Sequence, residues 1–181
     1  MPSVIIEDDH TMFRQGLVSL LDNESDIEVI GQAANGKEVL DLLPDQTPDV
    51  ILLDIEMPKM DGFDTIRAVQ DFNKSIKILT LTMHDSPEFI KNIFKAGASG
   101  YLSKDVDKVT LVQAIHTVHQ EGSYYSQETS KLIMESLREM KSTASISERE
   151  REIIRLIADE FTTKEIAEQL HLSPHTIESH R

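Results

Sequence analysis

One short stretch, Val50-Ile51-Leu52-Leu53-Asp54, constrains the fold of this chain more than any other. Its consecutive aliphatic residues predict a strand that is buried on both faces, as in a parallel sheet covered by helices. The strand ends on a carboxylate, and Pro58 and Gly62 then turn the chain. Asp54 is therefore expected at the carboxyl end of a central strand, where open α/β sheets bind their ligands.

A second acidic pair, Asp8-Asp9, follows another apolar strand, Val4-Ile5-Ile6. A lone aspartate at a strand end usually only caps the next loop. Here two neighbouring strands would aim three carboxylates, those of the pair and of Asp54, at one place. Carboxylates so close repel one another unless a cation lies between them, and Mg2+ prefers this kind of oxygen cluster. The two strand ends together predict a metal site.

Strand and helix patterns alternate between residues 1 and 121. The predicted strands are 4–6, 26–33, 50–54, 76–82 and 98–103, and the predicted helices are 10–21, 36–43, 61–72, 87–96 and 107–121. Five βα units with short connections predict a parallel sheet with helices on both faces. We expect a flavodoxin-like (βα)5 domain with strand order 2-1-3-4-5, in which strands 1 and 3 lie side by side at the switch point.

The βα regularity stops after Glu121, and a different organisation follows. We expect a linker over residues 122–146, which includes an amphipathic helix over 127–140 and a small polar stretch before the next domain. The domains are therefore predicted as residues 1–121 and residues 147–181.

The last segment is helical in pattern. Two capping boxes, Ser147 with Glu150 and Thr162 with Glu165, start two helices, and Ser173-Pro174 starts a third. A short helix, a tight turn and a further helix have helix-turn-helix spacing. A small helical bundle of another kind could show the same pattern.

Composition limits the classes of function. The net charge of −14 argues against a protein whose whole surface binds nucleic acid, but most of the acidity lies in residues 1–121, so DNA binding by the last segment stays open. The chain has no cysteine, which fits a reducing compartment. It shows neither a membrane-spanning stretch nor a signal-peptide pattern, so we expect a cytoplasmic protein without a membrane partner.

Two more polar residues, Thr82 and Lys104, end strands at the same predicted edge. The lysine could simply form a salt bridge that relieves carboxylate repulsion. It could also help a phosphoryl-transfer site, in which a metal and a lysine neutralise the transferred group and a carboxylate accepts it as an acyl phosphate. The two interpretations are compatible.

Both parts of the chain resemble known protein families. Asp8-Asp9, Asp54, Thr82 and Lys104, together with the Ala96–Leu102 stretch, closely resemble the receiver domain of two-component response regulators over residues 1–121. Residues 163–170 and 172–177 resemble the LuxR-type helix-turn-helix of the NarL/FixJ family. The two resemblances together cover the chain, and they imply a transcription regulator and not an enzyme with turnover.

The receiver resemblance implies a role for each pocket residue. Asp54 would accept a phosphoryl group from a histidine kinase. Asp9 would bind Mg2+ directly, Asp8 through water and Glu56 through its main-chain carbonyl, while Lys104 would pair with the phosphoryl group.

The same resemblance implies a switch. Thr82 would move to hydrogen-bond the phosphoryl group, and Tyr101 would swing inward with that motion. Glu56 and His84 match positions that tune dephosphorylation, although His84 could be an ordinary loop residue and Tyr101 a half-buried packing residue.

The helix-turn-helix resemblance implies DNA contacts by position: Ser173, His175, Thr176, Ser179, His180 and Arg181 could face phosphates or bases. Because the family's recognition helix continues past a position like Arg181, we expect residues 147–181 to be the N-terminal part of an incomplete DNA-binding domain. Phosphorylation would favour a homodimer that places two recognition helices on half-sites of promoter DNA.

Two alternatives remain. A receiver that regulates a partner protein without binding DNA would fit the near-neutral charge of residues 141–181. An aspartate-nucleophile phosphatase of the haloacid dehalogenase type would need a second aspartate where Glu56 stands, and a cap domain.

Overall fold

The computed structural model describes residues 1–56, 62–126, 129–131, 152, 155–156, 161–170 and 173. The chain divides into two compact units, Met1–Met134 and Glu135–Arg181. Among the residues so described, no helix has the length and apolar character needed to cross a membrane.

The first unit is a five-stranded parallel sheet with helices between the strands. Its elements are β1 (Ser3–Glu7), α1 (Thr11–Leu21), β2 (Glu28–Ala33), α2 (Gly36–Leu42), β3 (Val50–Asp54), α3 (Gly62–Phe72), β4 (Lys77–Thr82), α4 (Pro87–Ala96), β5 (Gly100–Ser103) and α5 (Lys108–Glu121). The strand order is β2-β1-β3-β4-β5. The predicted flavodoxin-like (βα)5 fold and its strand order are confirmed.

The central strand β3 is buried along its whole length, as its run of aliphatic residues predicts. It pairs with β1 on one side, where Leu53 lies opposite Glu7, and with β4 on the other, where Asp54 lies opposite Leu81. Since parallel strands end at the same edge, the carboxyl ends of β1, β3 and β4 deliver their following residues to one place.

Each face of the sheet has its own apolar core. One core joins the sheet to α1 and α5 through residues such as Leu17, Leu21 and Ile115. The other joins it to α2, α3 and α4 through residues such as Val39 and Ile66. Burying one such aliphatic side chain contributes about 1.5–3 kcal/mol, so these two cores hold the sheet edge in place.

Local signals set the helix ends. Asn35, Ser86 and Asp107 cap α2, α4 and α5, and each side chain accepts a hydrogen bond from a backbone N–H in the first turn. Gly97 and Gly122 follow α4 and α5 with φ of 111° and 85°, a conformation that glycine adopts without steric cost.

Two apolar residues that share helical spacing with core positions lie exposed. Met12 is 85% exposed and Phe72 is 53% exposed. At 3.6 residues per turn, Met12 lies about 180° around α1 from Leu21, and Phe72 lies about 120° around α3 from Ile66. Both residues stand at helix ends and point away from the sheet.

The second unit contains one fully described helix, α6 (Thr163–Gln169). Thr162 and Glu165 form the predicted capping box, with both reciprocal bonds present. Leu156, Ile166, Ala167 and Leu170 form a small apolar cluster. The third predicted helix, starting at Ser173-Pro174, and most of the predicted linker helix lie outside the described residues, as does Ile153, which we also expect in this core.

Candidate functional site

Three carboxylates meet at the carboxyl edge of the sheet. Asp8 and Asp9 follow β1, and Asp54 is the last residue of β3. One ligand atom from each of Asp8, Asp9, His10 and Asp54 lies within 4.8 Å of all the others. Asp8 and Asp54 are each only 1% exposed, whereas the Asp9 side chain is 25% exposed. The structure therefore brings the predicted acidic residues together.

Lys104 supplies the positive charge of this site. It follows β5, and its backbone N–H donates to the carbonyl of Thr82 at 3.0 Å. Its Nζ lies 2.6 Å from Asp54 Oδ2 and 2.8 Å from Asp8 Oδ2. The side chain is 11% exposed, so this ammonium and both carboxylates interact where water screens little.

Burial and hydrogen bonding together determine the protonation of Asp54 and Lys104. Burial raises the pKa of Asp54, and the hydrogen bonds from Lys104 and from the backbone N–H of Glu56 act in the opposite direction. For Lys104, burial would lower the pKa, but the hydrogen bonds to Asp54 and Asp8 hold it above the usual value. The ammonium is therefore charged at neutral pH.

A fourth carboxyl, Glu7, lies beneath this cluster and was not among the predicted site residues. It is 2% exposed, and its Oε2 accepts a hydrogen bond from the Asp54 backbone N–H at 3.2 Å. Oε1 has no hydrogen-bond partner. Burial and then the charge of Asp54 raise the pKa of Glu7 to about 9. In the sequence, only the position of Glu7 directly before Asp8-Asp9 indicated that it could belong to the site. The apolar run of this strand predicts an apolar residue at the same position.

The donor set fits Mg2+. Oxygens of three carboxylates come from two adjacent strand ends, which is the ligand chemistry that this hard cation prefers. Asp9 Oδ1 is buried and has no hydrogen bond of good geometry, and His10 Nδ1 lies 2.8 Å away. A buried carboxylate oxygen beside two further carboxylates is a suitable inner ligand for a divalent ion.

The two expected switch residues meet at the backbone of His84. The fully buried Thr82 accepts a hydrogen bond from the His84 N–H through Oγ1 at 3.2 Å. Tyr101 is 7% exposed, and its hydroxyl donates to the His84 carbonyl at 3.1 Å. The same short segment after β4 is thus held by β4 on one side and by β5 on the other.

Glu56 and His84 connect the loops that follow β3 and β4. The Glu56 N–H donates to Asp54 Oδ1 at 3.1 Å. Its carboxylate Oε1 lies 2.6 Å from His84 Nε2, and both side chains are about half exposed. The two positions that resemble tuning positions therefore contact each other next to Asp54.

The first turn of α1 contacts the site from a third direction. Arg14 Nη1 donates to the main-chain carbonyl of Asp8. The ring of Phe13 faces Lys104, with Nζ 4.9 Å from the ring centroid. Neither residue was predicted to belong to the site, because their contacts depend on how α1 is rotated about its axis.

Of the residues expected to contact DNA, the structure describes Ser173, which is exposed. His175, Thr176, Ser179, His180 and Arg181 lie outside the described residues.

Each of the two parts of the chain matches a known protein family. Residues 4–116 match the family described as response regulator receiver domain. Residues 144–181 match the family described as bacterial regulatory proteins, luxR family.

Relatives match nearly the whole chain. The transcriptional regulatory protein DegU of Brevibacillus brevis is 31% identical, over 98% of this chain and 83% of that protein. The nitrate/nitrite response regulator protein NarL of Escherichia coli (strain K12) is 32% identical, over 98% of this chain and 85% of that protein.

Solved structures of response regulators are also similar to this chain. A LuxR-family two-component response regulator from Aurantimonas sp. SI85-9A1 has a TM-score of 0.69 and 31% identity, over 75% of this chain and 97% of that chain. A response regulator RcsB–DNA complex has a TM-score of 0.67 and 26% identity, over 99% of this chain and 88% of that chain. The protein is therefore a two-component response regulator of the NarL/FixJ type, with a receiver domain followed by a LuxR-type DNA-binding domain.

Proposed function

We propose that Asp54 is the phosphoacceptor of this response regulator and receives its phosphoryl group from a histidine kinase. One observation carries the proposal: Asp54 ends the central strand with one carboxylate oxygen on the ammonium of Lys104 and the acidic pair beside it. Phosphoryl transfer needs a nucleophile held among cations that offset the charge of the transferred group.

In the reaction, a carboxylate oxygen of Asp54 attacks the phosphorus of a phosphohistidine. The P–N bond breaks, its electron pair returns to the imidazole, and an acyl phosphate forms on Asp54. Lys104 donates from Nζ to a phosphoryl oxygen as that oxygen gains charge. Asp8, Asp9, Asp54 and the main-chain carbonyl of Glu56 would hold Mg2+, which when bound offsets negative charge on the phosphoryl oxygens.

The switch follows from the contacts at His84. In the proposed sequence of events, the Thr82 hydroxyl leaves the His84 N–H and donates to the phosphoryl group. Tyr101 is bound to the carbonyl of the same residue, so the movement reaches β5. A change of charge at Asp54 thereby biases a two-state segment on the receiver surface.

The output is proposed to be a change in dimerisation and in DNA binding. The phosphorylated receiver would form a homodimer that places two recognition helices on promoter DNA. The DNA contacts would come from Ser173, His175, Thr176, Ser179, His180 and Arg181. The proposed domains are the receiver over residues 1–121 and the DNA-binding domain over residues 147–181, joined by a linker over residues 122–146. The proposed location is the cytoplasm.

The test is phosphorylation of the purified chain by acetyl phosphate with Mg2+, followed by intact-mass measurement. We expect one alkali-labile phosphoryl group, which Asp54→Asn abolishes and Asp9→Asn strongly reduces at limiting Mg2+. Asp64→Asn is the matched control, since that aspartate is exposed on α3 and paired with Arg67. Unchanged modification of Asp54→Asn would overturn the assignment of the acceptor.

A second measurement tests the output. Phosphorylated protein should retard promoter DNA at lower concentration than the unphosphorylated protein. If no genomic fragment is retarded in either state, then regulation of a protein partner becomes the better account. Rapid multiple turnover of phosphate esters would instead favour the phosphatase alternative.

A further inference from the structure

The ammonium of Lys104 has three N–H donors, and the structure accounts for two of them. Asp54 Oδ2 and Asp8 Oδ2 lie 2.6 Å and 2.8 Å from Nζ. Nζ also lies over the ring of Phe13, whose centroid is 4.9 Å away. Aromatic rings attract cations over this distance because the ring face carries partial negative charge.

Phe13 is fixed by the fold. It is in the first turn of α1 and packs, partly buried, against the apolar core on that face of the sheet. The next residue, Arg14, donates to the Asp8 carbonyl, which ties the same turn to the acidic pair. A ring so anchored keeps its position whether the lysine contacts a carboxylate or another anion.

We propose that Phe13 is a positioning residue for Lys104 and holds the ammonium over the phosphoacceptor while its anionic partners change. This inference rests on the proposed role of Asp54. When a phosphoryl group is added, the contact between Lys104 and Asp54 Oδ2 must be exchanged for a contact with the phosphoryl oxygens. The ring contact with Phe13 persists through that exchange and replaces water on one side of the ammonium.

The test varies the partial negative charge on the face of the Phe13 ring while keeping the shape of the side chain. Phenylalanine carrying one, two or three ring fluorines, incorporated at position 13, has an almost unchanged volume but a progressively weaker negative face. We expect the rate of phosphorylation by acetyl phosphate and the affinity for beryllofluoride with Mg2+ to fall stepwise. The total loss should be at least about threefold, which is the size of a cation–π contact at an exposed site, because this ammonium is mostly buried.

Substitutions by standard amino acids complete the series. Phe13→Leu should reproduce the loss, and Phe13→Tyr, which keeps the ring face, should restore it. Val18→Ala is the matched control, because it removes apolar volume from the same helix and the same core without removing an aromatic ring. Thermal unfolding of each variant separates altered positioning from lost stability.

Equal rates and equal beryllofluoride affinities across the fluorinated series would overturn the role of Phe13, and so would a loss in Val18→Ala as large as that in Phe13→Leu. If the unaltered protein takes no phosphoryl group at Asp54, the proposed function fails instead. The beryllofluoride titration of the unaltered protein distinguishes the two failures, because it reports the pocket directly.

Discussion

Nζ of Lys104 lies 2.6 Å from Oδ2 of Asp54, and this contact lets a buried carboxylate remain beside two others. Removal of the lysine leaves Asp8 and Asp54 as uncompensated buried charges. We expect Lys104→Met to lower the free energy of unfolding by about 3 kcal/mol without Mg2+, the usual result of breaking one side of a buried ion pair. Urea unfolding of both proteins in the presence of a chelator measures this difference in the free energy of unfolding.

The same variant tests the metal site. If the acidic cluster binds Mg2+, millimolar Mg2+ should restore part of the stability lost in Lys104→Met, because an ion that binds only the folded state stabilises it. Lys108→Met is the control: its partner is Glu24 on an exposed surface, and its loss should stay below about 1 kcal/mol. If Mg2+ stabilises neither variant, that result would contradict a metal site at Asp8, Asp9 and Asp54.

Glu7 makes stability depend on pH in an unusual direction. Its pKa rises from 4.5 to about 9 in the folded protein, so the folded state keeps a proton that the unfolded state loses above pH 4.5. The free energy of unfolding therefore decreases as pH rises between about 4.5 and 9. Glu7→Gln keeps the shape of the side chain and an acceptor for the Asp54 N–H, but it cannot ionise.

We expect Glu7→Gln to be more stable than the unaltered protein by up to about 4 kcal/mol at pH 7.5, and the difference to vanish near pH 4.5. The measurement is urea unfolding at a series of pH values with a chelator present. Stability curves that stay parallel across this pH range would show that Glu7 is ionised in the folded state.

The convergence of Asp8, Asp9, Asp54 and Lys104 was predictable because each ends or directly follows a strand of a parallel sheet. Strand ends meet at one edge whatever the details of packing. The strand order was predictable for a related reason, since five βα units with right-handed crossovers have few arrangements.

The contributions of Glu7 and Phe13 were not predictable in this way. Glu7 continues the buried run of β1, where the pattern of the strand predicts an apolar residue, and only the structure shows its carboxyl at the Asp54 backbone. Phe13 resembles any core residue of an amphipathic helix, and its contact with Lys104 depends on the rotation of α1 and on a lysine rotamer. Sequence periodicity does not predict the contact of Glu7 with the Asp54 backbone or the contact of Phe13 with Lys104.

Two glycines in helices should respond to alanine in opposite ways. A Cβ built on Gly36 would lie 1.9 Å from Thr65 Oγ1 and 3.0 Å from Thr65 Cβ, because α2 and α3 approach closely there. Gly36→Ala should therefore destabilise the protein by about 1–3 kcal/mol, the usual range for overpacking. A second substitution, Thr65→Ala, removes the clashing hydroxyl and should recover part of that loss.

Gly16, within α1, is the matched control. A Cβ there has no heavy atom within 4 Å, so Gly16→Ala should stabilise the protein by about 0.5–1 kcal/mol through the helix preference of alanine. Thermal unfolding of the three variants checks both expectations. Destabilisation by Gly16→Ala would mean that this face of α1 is covered in solution.

The contact of Glu56 with His84 should affect the lifetime of the phosphorylated state more than folding. His84 Nε2 lies 2.6 Å from Glu56 Oε1, but both side chains are about half exposed, so the pair contributes below about 1 kcal/mol to stability. Glu56 also donates its N–H to Asp54 Oδ1, which places this pair beside the oxygen atoms that would carry the phosphoryl group. Opening the pair should admit water to the acyl phosphate.

We expect His84→Ala and Glu56→Ala each to shorten the lifetime of the phosphorylated protein by about twofold to fivefold, which corresponds to the free energy of one exposed side-chain contact. The double variant should resemble either single variant, because both remove the same contact. The lifetime is measured by intact mass after removal of acetyl phosphate, with thermal unfolding as the control for stability. Additive losses in the double variant would show that the two residues act on hydrolysis separately, and equal lifetimes in all four proteins would show that the contact does not limit access of water to Asp54.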